Sequence, residues 1–185
     1  MNSRCCGKQS KSFLHLNKAR LAAANSIKVK RSKYFADLDT KNLYLIEYAK
    51  NLDVSKLILA ALYLGEGGKT LKRASVLFGN SDHNIIKLFL ELMRKCYSID
   101  EHKFRCTVQC RWGQNEEELT KYWSRVTGIP KEQFYKSRID PRTVNKKILK
   151  PNYKGVCRID YLSATVFHDI LSVINVLTGA RSSAG

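Results

Sequence analysis

The spacing of apolar residues divides this chain into helical and extended segments. Apolar positions recur at helical intervals in residues 18–35, 40–51, 54–65, 81–97, 116–126 and 163–177. Shorter patterns typical of strands occur in residues 74–78, 103–112, 133–139 and 155–161. Residues 1–17 show little periodicity, so we expect them to form a loop.

Polar residues before several of these segments predict where the helices begin. Asp39 and Asp53 precede the second and third helical segments, and Ser81 or Asp82 precedes the fourth. The strands at 133–139 and 155–161 are expected to pair with each other. Over residues 39–180 the resulting order, α-α-β-α-β-α-β-β-α, predicts an α+β fold in which a mostly antiparallel sheet carries helices on one face. The other face is expected to be exposed, polar and basic.

Residues 103–112 contain the clearest candidate for a binding strand. Their apolar side chains are Phe104, Cys106, Val108 and Cys110. The alternate positions are all polar, namely Arg105, Thr107, Gln109 and Arg111. This polar face suits contact with nucleic acid, and it equally suits a simply solvated sheet.

Residues 59–67 combine an almost uncharged helical run with an acidic end. The run is apolar nearly all round, which predicts burial on several sides. It contains small residues that would let another helix approach closely, and it ends with Glu66 between Gly65 and Gly67. In a basic chain, this arrangement predicts a protein that binds phosphates and holds one carboxylate against them.

The charge of the chain indicates nucleic acid as a partner. The sequence of 185 residues has 33 Lys and Arg against 16 Asp and Glu, a formal net charge of +17. Cationic side chains that neutralise phosphates release counterions, so such an excess is typical of nucleic-acid-binding domains. A basic enzyme without a nucleic-acid partner remains an alternative.

The basic residues are concentrated in two stretches. Residues 1–33 contain nine Lys and Arg and no acid, and residues 136–158 contain eight with Asp140 as the one acid. We expect a basic N-terminal arm over residues 1–38, one domain over 39–180 and a tail over 181–185. Residues 1–35 also have the composition of an organelle transit peptide. With no secretory signal recognised, we expect an intracellular location, in the cytoplasm or nucleoid, or in an organelle if residues 1–35 are a transit peptide.

The cysteines and histidines do not form a recognisable metal-binding pattern. The six cysteines include no C-x-x-C pair, and the four histidines are dispersed. We expect reduced thiols, and no apolar run is long enough to span a membrane.

Residues 59–67 resemble the motif that names the LAGLIDADG homing endonucleases. Four positions match outright, namely Leu59, Ala60, Leu62 and Gly67. Glu66 occupies the final acidic position. Ala61 and Gly65 keep small residues, whereas Leu64 stands where the motif has its first Asp.

The surrounding chain is similar to a prokaryotic branch of the same superfamily. The matching features occur in order over residues 62–69, 80–82, 116–118, 123, 128–130 and 153–158. The resemblance covers about residues 55–178. One motif copy implies a homodimer, in which two motif helices pack through Ala60, Ala61, Tyr63 and Leu64.

The resemblance also implies the chemistry of the site. Glu66 from each chain, with the backbone carbonyl of Gly65, would hold Mg²⁺ or another divalent cation at the scissile phosphate. Lys69 would stabilise charge in the transition state. The implied activity is sequence-specific cleavage of double-stranded DNA. A non-cleaving binder of DNA or RNA on the same fold is the alternative.

The residues expected to contact nucleic acid extend beyond the motif. They are Lys72, Arg73, Arg105, Gln109, Arg111, Lys136, Arg138, Arg142, Lys146, Lys147, Lys154 and Arg158. Cutting members of the family usually have a long β-hairpin after the motif. Only 14 residues separate Glu66 from Ser81, so this hairpin is expected to be short.

Overall fold

The computed structural model describes residues 6–68, 74–146 and 152–179 of the chain, with side chains described from residue 16 onwards. Four predicted site residues lie outside these ranges, namely Lys69, Lys72, Arg73 and Lys147, and so does the predicted tail at 181–185. The chain divides into two compact units, Met1–Ala49 and Lys50–Gly185.

The first unit consists of a long helix followed by a single short turn of helix. Helix α1 spans Cys6–Asn42 and α2 spans Leu45–Tyr48. The predictions of a loop over residues 6–17 and of a helix start at Asp39 were wrong, because α1 is continuous from Cys6 and contains Asp39. The first five residues of the predicted loop lie outside the described residues. Residues 8–42 contain no Gly or Pro and many Ala, Lys and Arg, so nothing interrupts the helix. The helix also continues across the predicted domain boundary at residue 38.

The second unit has an α+β fold. Its helices are α3 (Leu52–Glu66), α4 (His83–Cys96), α5 (Glu116–Thr127) and α6 (Ala164–Thr178). Its strands are β1 (Gly67–Gly68), β2 (Val76–Asn80), β3 (Phe104–Cys110), β4 (Arg138–Ile139) and β5 (Val156–Tyr161). They form an open sheet in the order β1-β2-β5-β3-β4, in which only the β3–β4 pair is parallel.

Side-chain caps fix the starts of the helices that flank the sheet. The predicted cap at Asp82 is confirmed, since its carboxylate accepts the N–H of Asn84 at 2.8 Å. The last helical segment was predicted to start at residue 163, and Ser163 caps α6 there, its hydroxyl oxygen accepting the N–H of Val166. The predicted cap at Asp53 was wrong: Asn51 accepts the N–H groups of Asp53 and Val54, so α3 begins earlier.

The central strand of the sheet comes late in the sequence. β5 lies between β2 and β3 and pairs antiparallel with both. The predicted pairing of residues 133–139 with 155–161 was therefore wrong, because the first segment adds to the far side of β3 as β4. The inward positions of β5 are Cys157, Ile159 and Tyr161, all buried, which suits a strand enclosed on both sides.

One face of the sheet forms the hydrophobic core with the helices. The alternation predicted for β3 is confirmed, since Phe104, Cys106, Val108 and Cys110 are buried. Phe78 on β2 stacks on Phe89 of α4 with ring centroids 4.1 Å apart, and Trp123 of α5 is fully buried. The helices thus cover the apolar face, and the opposite side chains of the strands remain available to solvent or to a ligand.

Four cysteines of the described residues are free thiols, namely Cys96, Cys106, Cys110 and Cys157. The hydrogen bond with Cys106 and, to a lesser extent, burial raise the pKa of the Cys157 thiol. Within the described ranges, no helix is both long and apolar enough to cross a membrane.

Candidate nucleic-acid interface

The polar face of the sheet, here called the outer face, is built by the alternation of β2, β3 and β5. Its residues on these strands are Leu77, Gly79, Arg105, Thr107, Gln109, Val156, Arg158 and Asp160. Strand register aligns them in rows across the sheet. One row is Gly79, Arg158 and Thr107, and the next is Val156, Gln109 and Arg138 of β4.

A cavity of about 340 Å³, here called the central cavity, lies over these two rows. Glu66 lines it from the end of α3, together with Gln109, Arg138 and Arg158 from three different strands. Four residues predicted separately therefore meet at one place. The sequence-based set omitted Thr107, which also lines the cavity; its position in the alternating pattern of β3 was the signal that could have included it.

Glycine at position 79 makes room for this cavity. A methyl group built there would be no closer than 3.7 Å to its neighbours, the carbonyl oxygen of Cys157 being nearest. Because that is ordinary van der Waals contact, the fold does not require glycine at this position. Its absent side chain instead leaves space beside Arg158, its partner on β5.

The end of α3 is held in place by Tyr63. The buried Tyr63 hydroxyl donates a hydrogen bond to the carbonyl oxygen of Gly68 at 2.6 Å and accepts the N–H of Leu77 at 3.3 Å. Burial raises the pKa of this hydroxyl. A methyl group at Gly67 would lie 2.5 Å from the Tyr63 backbone oxygen. The chain therefore turns tightly against Tyr63 immediately after Glu66, and this fixes the backbone position from which the Glu66 side chain extends.

The position of Glu66, next to Gly65 at the end of α3, favours the presence of a nearby cation. Glu66 is exposed and is the last residue of α3. The carboxyl end of a helix carries partial negative charge, so a carboxylate there is favoured when a cation is close by. Across the described residues, no group of three or more His, Cys, Asp or Glu side chains is arranged to hold a metal. A metal at Glu66 would therefore take oxygen from the backbone, water or a phosphate.

The remaining predicted contacts are distributed over the surface. Arg111 and Arg142 line a second cavity beyond Gln109, of about 220 Å³. Lys136 and Lys146 are exposed away from both cavity linings. Lys154 lies 5.6 Å from the ring centroid of Tyr122 on α5.

Arg105 and Asp160 form the far end of the outer face. They are opposite each other in the β3–β5 register, yet the Arg105 guanidinium donates to the backbone oxygens of His102 and Phe104, each at 2.7 Å. One carboxylate oxygen of Asp160 is buried and has no hydrogen-bond partner. The sequence-based set did not include Asp160, an acid on an otherwise basic face.

The four residues predicted to pack between two motif helices differ in their solvent exposure. Ala60 and Tyr63 are buried within the chain itself, so their assignment to a dimer contact is corrected: no surface of either is available to a partner. Ala61 is exposed and Leu64 partly so. Leu57 and Ile58 lie on the same side of α3 as Ala61 and are 44% and 36% exposed. The prediction that the helical run in residues 59–67 is buried on several sides was therefore only partly correct.

A comparison of this chain with protein-family models, with curated proteins and with solved structures found no match.

Proposed function

We propose that this protein is an endonuclease of the LAGLIDADG type that binds duplex DNA on its outer face and cleaves it as a homodimer. The central cavity carries this proposal, because it joins the acid at the end of the motif helix to two arginines and a glutamine. Metal-assisted phosphodiester hydrolysis uses carboxylates to hold a cation beside a bound phosphate, and a carboxylate next to phosphate-binding groups is compatible with that chemistry.

The arginines would bind the DNA backbone. A guanidinium group presents a planar set of N–H donors that matches two oxygens of one phosphate. Arg138 and Arg158 line the same cavity from β4 and β5. Two such groups at fixed positions would hold one phosphodiester in register with Glu66.

Glu66 and the Gly65 carbonyl would hold the divalent cation. Mg²⁺ is commonly bound by one or two carboxylates, with waters and substrate phosphates completing its shell, so one carboxylate per protomer fits. When bound, the cation would polarise the phosphate and promote deprotonation of a water. The Gln109 amide would orient that water, and Arg138 and Arg158 would offset negative charge on the phosphate. The role of Lys69 stays a prediction, since it lies outside the described residues.

The exposed side of α3 is the surface that would form the homodimer. It consists of Leu57, Ile58, Ala61 and Gly65, which lie along one side of the helix. A methyl group built on Gly65 meets nothing within 4 Å, so this side is open at its end. Two helices packed through Ala61 and Gly65 would approach closely and bring two Glu66 carboxylates together.

Ala61→Arg is expected to convert the dimer to a monomer and to abolish double-strand cleavage. The residue is exposed within one chain, so the substitution leaves the core intact but introduces a large charge between the two helices. Light scattering coupled to size exclusion measures the mass. Leu52→Arg is the matched control, because Leu52 is exposed but lies half a turn away around the helix. A dimer that survives Ala61→Arg would contradict this interface.

Arg138→Gln and Arg158→Gln are each expected to lower the salt dependence of DNA binding. Each lost phosphate contact reduces the slope of log K against log salt by about 0.9. Fluorescence anisotropy from about 50 to 200 mM salt measures this slope. Lys121→Gln is the control, since Lys121 pairs with Glu117 on α5 and lines neither cavity. Unchanged slopes in both arginine variants would remove the outer face from the DNA contact.

A second candidate function is binding of nucleic acid without cleavage. The observation that favours it is the single carboxylate at the central cavity, with no cluster of metal-ligating side chains among the described residues. The two functions share the basic outer face and differ in their need for Glu66.

Cleavage of a duplex library distinguishes them most directly. The full chain is incubated with random duplex DNA and Mg²⁺, and new ends are sequenced. Discrete cut sites would support the endonuclease and reveal its recognition sequence. Selective retention of DNA without new ends would instead support the non-cleaving binder.

A further inference from the structure

A second polar cavity lies at the end of the sheet, next to the central cavity. It has a volume of about 220 Å³ and shares Gln109 and Val156 with the central cavity, so the two are adjacent. Its other lining residues are Cys110, Arg111, Asp140, Arg142, Thr143 and Tyr153. Pockets for drug-sized ligands usually exceed about 300 Å³, so this space suits a small group such as one planar ring.

The turn that follows β3 is fixed at the edge of this cavity. The Arg111 N–H donates to the side-chain oxygen of Gln114 at 2.8 Å, and the Gln114 amide donates to the carbonyl oxygen of Tyr153 at 2.6 Å. The Trp112 N–H donates to the Thr143 hydroxyl oxygen at 3.0 Å. Gly113 at φ +78° allows the reversal of the chain. Trp112 is therefore held at the edge of the cavity by a hydrogen-bonded turn.

Trp112 presents its indole to solvent. It is 46% exposed, whereas Trp123, the other tryptophan of the chain, is fully buried. Close by, the Arg111 guanidinium lies 4.8 Å from the ring centroid of Tyr153. Arg111 and Tyr153 thus line the cavity as a guanidinium–aromatic pair, and Trp112, the next residue after Arg111, borders it through its backbone hydrogen bond to Thr143. We call Arg111, Trp112 and Tyr153 the stacking cluster.

Cations surround the stacking cluster. Arg142 lines the cavity with a side chain that is 84% exposed, and its guanidinium pairs with Asp140 at 3.0 Å. Lys146 follows in the same segment, where its N–H donates to the carbonyl oxygen of Thr143. An exposed aromatic surface bordered by such cations complements a planar, uncharged ring attached to a phosphate. It is a poor match for a purely apolar protein surface, which would bury the Arg142–Asp140 ion pair away from water at a cost in desolvation.

We propose that the stacking cluster binds an unpaired nucleotide, with its base stacked on the indole or guanidinium plane and its phosphate near Arg142. Unstacked bases are recognised in this way by aromatic and arginine side chains, whereas paired bases have their faces covered by their neighbours in the duplex. The inference relies on the nucleic-acid binding of the proposed function but not on cleavage. The strand that occupies the outer face would thus extend past the central cavity with a single-stranded nucleotide.

Tryptophan fluorescence tests the inference directly. Because Trp123 is buried, quenching by an added oligonucleotide reports on Trp112. We expect single-stranded thymidine or uridine oligonucleotides to quench the emission, and an abasic oligonucleotide of equal length and charge to cause little change. Comparison of the DNA and RNA arms identifies which kind of strand is preferred.

Substitutions separate stacking from charge. Trp112→Ala is expected to weaken single-strand affinity roughly tenfold or more, and Trp112→Phe to retain most of it, because phenylalanine keeps an aromatic face. Anisotropy of a labelled oligonucleotide measures affinity without relying on the removed tryptophan. Tyr135→Ala is the control, an exposed aromatic outside the cavity lining, and circular dichroism checks that each variant is folded.

The outcomes distinguish this inference from the proposed function. Duplex binding without quenching by single strands, or equal quenching by the abasic strand, would overturn the stacking cluster and leave the endonuclease proposal intact. Loss of single-strand binding in Trp112→Ala with retained duplex cleavage would support both. Binding to neither single nor double strands would overturn both.

Discussion

Glu66→Gln is expected to abolish DNA cleavage while leaving duplex affinity nearly unchanged. Glutamine has almost the same shape as glutamate but no charge, so the variant loses its hold on the divalent cation and keeps the basic outer face. Metal ions contribute several kcal/mol of charge stabilisation to phosphoryl transition states, so cleavage should slow by at least about a thousandfold. Single-turnover cleavage on a mapped site measures the rate, and anisotropy measures affinity.

Two further variants serve as controls for Glu66→Gln. Glu66→Asp keeps a carboxylate and should retain measurable cleavage, whereas Glu117→Gln removes an exposed acid on α5 and should cut normally. If Glu66→Gln cuts at the wild-type rate, Glu66 has no catalytic role. If neither the wild type nor the variant cuts and both bind selectively, the non-cleaving binder is the better description.

Gly67→Ala is expected to destabilise the protein by about 2–3 kcal/mol. The added methyl group would lie 2.5 Å from the Tyr63 backbone oxygen and 2.5 Å from its ring, closer than any relaxed contact. Forcing extra volume into a well-packed region typically costs about 1–3 kcal/mol, and backbone contact places this site at the upper end. The expected readout is a lower midpoint of urea-induced unfolding with an unchanged slope.

Gly65→Ala is the matched control for this prediction. It lies two residues earlier, inside α3, where a methyl group meets nothing within 4 Å. Alanine is favoured over glycine within a helix by up to about 1 kcal/mol, so this variant should be as stable as the wild type or slightly more stable. Both variants are measured in the Ala61→Arg background at one protein concentration, so that the proposed dimer contact of Gly65 does not contribute. Equal destabilisation by the two would show that the contact with Tyr63 does not restrict residue 67.

Tyr63 illustrates why a sequence motif can place a residue correctly and misjudge its role. Its position in the motif suggested a contact between two helices, but its ring is buried and its hydroxyl connects β1 to β2. Both roles need an apolar residue on α3, so the pattern alone does not separate them. The difference depends on which side of the helix the sheet covers, and that is set by strands far along the chain.

The segments that were predicted well depend on neighbours in sequence. The starts of α4 and α6 were predicted from Asp82 and Ser163, since a cap contacts N–H groups within three residues. The alternation of β3 was equally visible, because one buried face leaves a period of two. The N-terminal helix was missed over residues 6–17 because its side chains show no apolar stripe, although helix formers without Gly or Pro sustain it.

The candidate site was predicted residue by residue, but its assembly was not. Glu66, Gln109, Arg138 and Arg158 each followed from the motif, from a polar strand face or from a basic stretch. They share one cavity because β5 inserts between β2 and β3 and because β4 joins the outer side of β3. The predicted pairing of β4 with β5 would have placed Arg138 and Arg158 on adjacent strands and left Gln109 elsewhere.

The sequence by itself determined the starts of α4 and α6, the two-faced character of β3, the excess of positive charge and the identity of the acid at the end of α3. These properties are local or compositional, since they depend on residues within about one helical turn or on simple counts. Only the tertiary structure decided the order of the strands, the open side of α3 and the joining of Glu66 to the arginines. Strand order depends on which apolar strand faces can be buried together, and the strands that pair are separated by long loops. The alternation of apolar and polar residues along a strand is the same whichever neighbour the strand pairs with, so it does not distinguish between strand orders.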